Sequence, residues 1–178
     1  MKVNQDKFRE LVLYLSEKSQ DDKKFGATKL NKILYFCDFG SYVKLGQPVT
    51  GASYFRLGNG PAPKCMRPVR REMIEEGILK LEAIPTLRGK PLERTVNLRP
   101  PKMDSFSRAE VAYIDSVLKE FKDYDSDEIS DRSHGELGWM LMAEKETIPY
   151  AMAFYSNPPL TEEEIARGRQ IAESRRAA

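Results

Sequence analysis

Thr28–Pro61, TKLNKILYFCDFGSYVKLGQPVTGASYFRLGNGP, decides how this chain is built. Leu30, Ile33, Leu34 and Cys37 recur at helical spacing. Tyr35, Phe36, Phe39, Tyr42 and Val43 fill the remaining sides, and a helix apolar on several sides belongs at the centre of a fold. Thr28 is the expected N-cap, and Gly46 closes the helix in the left-handed conformation. Gln47-Pro48 continues the turn, and Ala52 to Leu57 has the aromatic content of a short strand. In Gly58-Asn59-Gly60-Pro61 the glycines permit positive φ and the proline fixes the exit, which makes a tight corner.

Upstream, Phe8, Leu11, Val12 and Leu15 mark an amphipathic helix from about Gln5 to Lys18, ended by the polar run Asp21 to Lys24. Downstream, Pro68 to Glu76 reads as a third helix with Val69, Met73 and Ile74 inward and Gly77 as its stop. Ile78 to Ile84 and Arg94 to Leu98 alternate apolar and polar residues around an Arg88-Gly89-Lys90-Pro91 loop, so they form a hairpin, a wing on the sheet. Pro100-Pro101 ends it. Ser107-x-x-Glu110 is a capping box opening a helix with Val111, Ile114, Leu118 and Phe121 on one stripe. Thr161-x-x-Glu164 is a second box, opening a C-terminal helix. Shorter helical pieces lie around Ile129 and Trp139, with Pro149, Pro158 and Pro159 as stops.

The fold class is therefore α+β: a mainly helical single domain, residues 1–178, around a central aromatic helix with a small antiparallel sheet and hairpin. Its length should bury roughly two-thirds of the unfolded surface. With 40% apolar and 31% charged residues it suits a folded soluble chain. No stretch approaches the ~20 apolar residues needed to span a bilayer, and the N-terminus lacks the apolar core of a secretion signal. The expected place is the cytoplasm, and no membrane partner is expected. Cys37 and Cys65 fit it as free thiols, since neither has CxxC or Cys/His spacing for a metal.

Charge is segregated along the chain. Residues 61–102 hold ten Lys/Arg against five Asp/Glu, and residues 103–164 hold five against fifteen. The basic stretch can meet nucleic acid or an acidic partner, the acidic one can meet a basic partner, or the two can neutralise each other. Arg67, Arg70 and Arg71 beside Arg88, Lys90, Arg94 and Arg99 resemble the basic helix and hairpin of winged DNA readers, but no helix-turn-helix accompanies them.

Little in the chain suggests chemistry. His134 is the only histidine, so a metal site would need other donors and any triad would have to use this ring. Ser133 adjoins it, but helical neighbours point about 100° apart. The Gly58-x-Gly60 corner lacks the spacing and the Lys-Ser/Thr of a phosphate loop. Lys29 and Lys32 share a helix face, and either present two cations to a partner or are solvated or internally paired. No catalytic residue, metal or cofactor is expected.

Four blocks carry a family resemblance: Lys29-Leu30-x-Lys32-x-Leu34-Tyr35-x-x-Asp38; Gly46-x-Pro48-x-Thr50-Gly51 with Tyr54; Gly58-x-Gly60-Pro61; and Ser133-His134 with Trp139. In this order and spacing the chain resembles the Panacea domain family, which includes SocA-like antitoxins. The resemblance implies a protein-binding module, not an enzyme. Its expected partner is a cognate toxin from an adjacent gene, neutralised by direct complex formation or delivered to a protease; some members are phage-associated.

Two divisions of labour are open for the pattern residues Lys29, Lys32, Tyr35, Asp38, Tyr54, Gly58, Gly60, Pro61, His134 and Trp139. In one they build the scaffold while the hairpin and C-terminal helix meet the partner. Tyr35 and Trp139 are then buried with satisfied polar tips, Asp38 pairs with a lysine or accepts backbone donors, and His134 orients against them. In the other, Lys29, Lys32, His134 and Trp139 converge on a small polar cleft for a ligand or a partner's terminus. A nucleic-acid-binding regulator and a small hydrolase using His134 are the functional alternatives.

Overall fold

The computed structural model describes residues 3–86 and 91–155. Arg88, Gly89, Lys90, the proposed C-terminal helix with Thr161 and Glu164, and Pro158-Pro159 lie outside the described residues.

Helix α1 (Gln5–Lys18) starts at Asn4, whose side chain accepts a hydrogen bond from Lys7 N at 3.0 Å, a cap that satisfies one orphan N–H of the first turn. Its Phe8, Leu11, Leu13 and Leu15 are fully buried, each contributing roughly 1.5–3 kcal/mol through burial. Helix α2 (Ala27–Leu45) is central: Leu30, Ile33, Leu34, Tyr35, Cys37 and Phe39 are buried, and α1 and three later helical segments pack around it. Its N-cap is Gly26, with Thr28 already inside the first turn, and no side chain caps it. Gly46 takes φ +77 and ends it in the left-handed region that a Cβ disfavours. Val43, expected on an inward stripe, is exposed.

Strand β1 (Tyr54–Phe55) is shorter than the sequence suggested. It lies between β2 (Ala62–Pro63) and β5 (Thr147–Ile148), antiparallel to both, with Tyr54 opposite Pro63 and Ile148. Helix α3 (Met66–Glu75) buries Val69 and Met73, whereas Ile74 is exposed because it falls beside that stripe. Strands β3 (Leu79–Ile84) and β4 (Leu92–Asn97) form the expected hairpin with Leu81 opposite Thr95. It is a separate two-stranded sheet and not a wing on the first. It docks on α1 instead, where Asn97 Nδ2 donates to Leu13 O at 2.8 Å.

Helix α4 (Arg108–Glu120) opens on the Ser107/Glu110 capping box. Helix α5 (Ser126–His134) has an equivalent box in Asp125 and Glu128, and α6 (Leu137–Leu141) and a 3₁₀ turn (Tyr150–Tyr155) follow. Phe121 stacks on Phe36 with ring centroids 4.6 Å apart, which locks α4 to α2. No helix among the described residues is long and apolar enough to cross a membrane. Cys37 and Cys65 are free thiols.

Among the described ion pairs none joins residues 61–102 to residues 103–155. Helix α1 takes both signs: Arg9 pairs with Glu76, Glu10 with Arg99, and Lys7 with Glu110.

Candidate functional site

The family-pattern residues fall into three groups, distinguished by burial and partners. The first surrounds Asp38, which is 0% exposed. Thr50 N donates to Asp38 Oδ1 at 2.6 Å, Thr50 Oγ1 to Oδ2 at 2.6 Å, and Tyr54 Oη to Oδ2 at 2.8 Å. Asp38 thus accepts backbone and hydroxyl donors and makes no lysine pair among the described residues. Burial pushes its pKa up, and the Thr50 and Tyr54 hydrogen bonds pull it back without fully compensating. The cluster ties the middle of α2 to the chain entering β1.

The second group is Lys29 alone. Its Nζ donates to Asp22 Oδ2 at 2.7 Å, Lys122 O at 3.0 Å and Tyr124 O at 2.6 Å, using all three donors. A cation so satisfied joins the α1–α2 turn to the α4–α5 connection. Lys29 is 1% exposed, so it does not sit with Lys32 as a surface pair, although the two are three residues apart on one helix.

The third group gathers at the glycine corner. Gly60 N donates to Leu57 O at 2.9 Å, which closes the turn, and Gly60 has φ +94. A Cβ there would run into Ser133 Oγ and come within 2.6 Å of Lys32 Cε. Position 60 therefore needs glycine for both backbone and space. Lys32 is 2% exposed, and its Nζ donates to Pro61 O at 3.1 Å. Burial pushes its pKa down to about 8.

Beside the corner, three side chains stack. The His134 and Trp139 rings are 3.9 Å apart and inclined by 22°, and the Arg56 guanidinium lies 4.6 Å from the Trp139 centroid. Trp139 Nε1 donates to Leu57 O at 2.8 Å, so the stack is fastened to the corner. Trp139 is half-buried and not the buried core residue expected, because Arg56 and His134 cover its faces in place of helices. Arg56 also pairs with Glu144 at 2.6 Å. Burial lowers the His134 pKa, with Asp131 opposing and Lys32 reinforcing the shift. Tyr35 is buried against Phe39 and Tyr54, with centroids 4.2 and 5.6 Å away.

Lys32, Gly58, Gly60, Pro61, His134 and Trp139 are thus brought together, while Lys29, Tyr35, Asp38 and Tyr54 serve the interior. Two participants escaped the sequence reading. Arg56 carries no local signal, because its partner in the stack is more than eighty residues away. Asn31, between the two lysines, stands beside the corner with a buried Oδ1 that lacks a hydrogen-bond partner.

The corner offers no hydrolytic arrangement of Ser133 with His134. Ser133 Oγ is buried and donates to Ser130 O at 2.7 Å, turned into its own helix. No cluster of three or more His, Cys, Asp or Glu suited to a metal occurs among the described residues. Three of the basic residues on the helix and hairpin are engaged within the chain: Arg70 meets Glu93, Arg94 donates to Gln20 O at 3.1 Å, and Arg99 meets Glu10.

A mainly helical α+β scaffold emerges, in which buried polar residues serve as ties between segments. The Panacea domain family of SocA-like antitoxins matches residues 30–140, and the chain belongs to that family. The matched segment runs from α2 to α6 and contains the Asp38 cluster, the glycine corner and the stack. No curated protein and no solved structure matches the chain. Family membership supports an antitoxin-like role with a protein partner.

Proposed function

We propose that this chain is a non-catalytic antitoxin module, residues 1–178, that neutralises a cognate protein toxin by direct complex formation. The observation that carries the reading is the family match over residues 30–140. The disposition of the pattern residues supports it: Lys29, Tyr35, Asp38 and Tyr54 hold a fixed interior, which leaves the outer surface free to differ between family members with different toxins. Aromatic and arginine anchors dominate such interfaces. Helix α6 and the 3₁₀ turn pack on each other and leave Met140, Leu141, Phe154 and Tyr155 more than half exposed.

The toxin is the product of an adjacent gene, and the chain works in the cytoplasm. Co-expression with that neighbour tests the reading through growth rescue and co-elution on a sizing column. Rescue with a stable complex is the expected result. A toxic neighbour that is neither rescued nor bound overturns it. Rescue accompanied by falling toxin levels, and abolished in a protease-deficient host, assigns proteolytic delivery in place of simple blocking.

A further inference from the structure

The glycine corner borders a half-open pocket of about 260 Å³ whose walls include Thr28, Asn31, Lys32, Leu57, Gly60 and Ala62. Its chemistry is one-sided. Lys32 brings a cation that is 2% exposed, has one hydrogen bond for three donors, and makes no ion pair among the described residues. A buried charge in that condition lacks the compensation that buried ions ordinarily have. Asn31 adds a side-chain amide whose buried Oδ1 has no partner; turning the amide by 180° places its NH₂ there instead. Thr28 and Asn31 stand on the first turns of α2, whose N-terminus has neither a side-chain cap nor an acidic residue to offset its partial positive charge.

Lys32 supplies one full positive charge and the helix end about half of another, so the pocket suits an anion. A planar carboxylate also suits an ammonium and an amide side by side. A metal cation is excluded, because the cavity walls contain no carboxylate.

We propose that the cavity takes one carboxylate group of a bound protein partner, with Lys32 Nζ as counter-ion and Asn31 as second donor. The proposal rests on the protein-binding reading above. His134 on α5 feels the positive charge of Lys32 and of Arg56 next to β1, while burial alone accounts for the shift of Lys32. The Lys32 pKa, pushed down to about 8 by burial, agrees with an ammonium that has lost water without gaining an anion.

The experiment uses the full chain alone, with acetate as probe and chloride at equal ionic strength as reference. The readout is the ¹³C-methyl resonances of Leu57 and Ala62. Saturable shifts with acetate but not chloride, absent from folded Lys32→Met, are expected. Because Lys32 must be protonated to bind, affinity at pH 9 should be about tenfold weaker than at pH 7. No saturable shift, an equal shift with chloride, or an unchanged response in folded Lys32→Met overturns the site. If Lys32→Met does not fold, half-buried Asn31→Leu decides: binding about fivefold weaker is expected for one lost hydrogen bond, and unchanged binding overturns the assignment.

Two further probes separate the sources of a carboxylate. Preference for acetyl-diglycine assigns a chain terminus, and preference for N-acetyl-aspartate amide assigns a side chain. Binding of neither overturns a protein source. No toxin is present in these titrations, so they fail or succeed independently of the co-expression test.

Discussion

Asp38 and Thr50 are joined twice, backbone N to Oδ1 and hydroxyl to Oδ2, both at 2.6 Å, and Tyr54 Oη shares the second oxygen. This pair explains why an acid can stand fully buried in the central helix: its lone pairs are occupied before any solvent is needed. It also fixes where the chain re-enters the core after the Gly46 turn. The register of β1, and through it of β2 and β5, descends from that contact.

Asp38→Ala should cost about 3–5 kcal/mol, since it strands three donors in the interior. Asp38→Asn should cost only about 1–2 kcal/mol, because its oxygen can keep Thr50 N and the two hydroxyls can turn to accept. Urea unfolding at pH 7 measures both. The folded pKa of Asp38 is raised above its ordinary 3.8. Its contribution is therefore complete below about 3.8 and is lost as pH rises through the folded value. The stability advantage of the native chain over Asp38→Asn should shrink across that window.

Gly60→Ala should destabilise by about 2–4 kcal/mol, combining the left-handed φ with collisions against Ser133 and Lys32. Gly58→Ala is the internal control. A Cβ there meets nothing within 4 Å and its φ is unremarkable, so a change of no more than about 0.5 kcal/mol is expected. Equal losses at the two positions would show that the corner is not held in this conformation.

The elements that could be read from the sequence are those with local causes. Helix α2 declared itself by apolar residues on every side, Gly46 by the need for a left-handed residue, and α4 by Ser107 and Glu110. The Asp125/Glu128 box of α5 has the same spacing and the same local cause. Strands β1, β2 and β5 have two residues each, too few for alternation to register, and β5 pairs with β1 across some ninety residues. Burial of Lys29 and Lys32 was hidden for a related reason. Lysines three apart on a helix read as surface until the carbonyls of Pro61, Lys122 and Tyr124 arrive from distant segments.

Trp139 is the sole tryptophan, so its fluorescence reports on His134 directly. An imidazolium stacked on indole quenches its emission, and neutral imidazole does so weakly. Emission should therefore fall on acidification with a midpoint below 6.5, since burial lowers the His134 pKa. His134→Ala should remove the transition while leaving the protein folded. The stability linkage has the matching sign: the contribution of neutral His134 is present above the unfolded value near 6.5 and declines as pH falls through the folded one. A midpoint above 6.5 would contradict the stacked, desolvated ring.

Lys7 and Glu110 provide the last test, at the seam between α1 and α4. Lys7 Nζ lies 2.6 Å from Glu110 Oε1 and 5.1 Å from the Phe106 centroid, while Glu110 Oε2 accepts from Ser107 N at 2.8 Å. Burial alone would raise the Glu110 pKa, but Lys7 and Ser107 outweigh it and the net direction is down. The pair's contribution is therefore present above pH 4.5 and lost as pH falls through the folded pKa. Glu110→Gln preserves the capping box, because glutamine serves at that position, and removes only the charge. It should cost about 1 kcal/mol at pH 7 and flatten the acid limb of the stability curve. Ser107→Ala should cost a similar amount, about 1 kcal/mol, by loss of the cap, with the acid limb retained. A double-mutant cycle between Lys7→Met and Glu110→Gln by urea unfolding should show coupling, because the two remove opposite ends of one ion pair. Additive losses would mean that Lys7 and Glu110 do not interact, and would remove Glu110 as the link between the two helices.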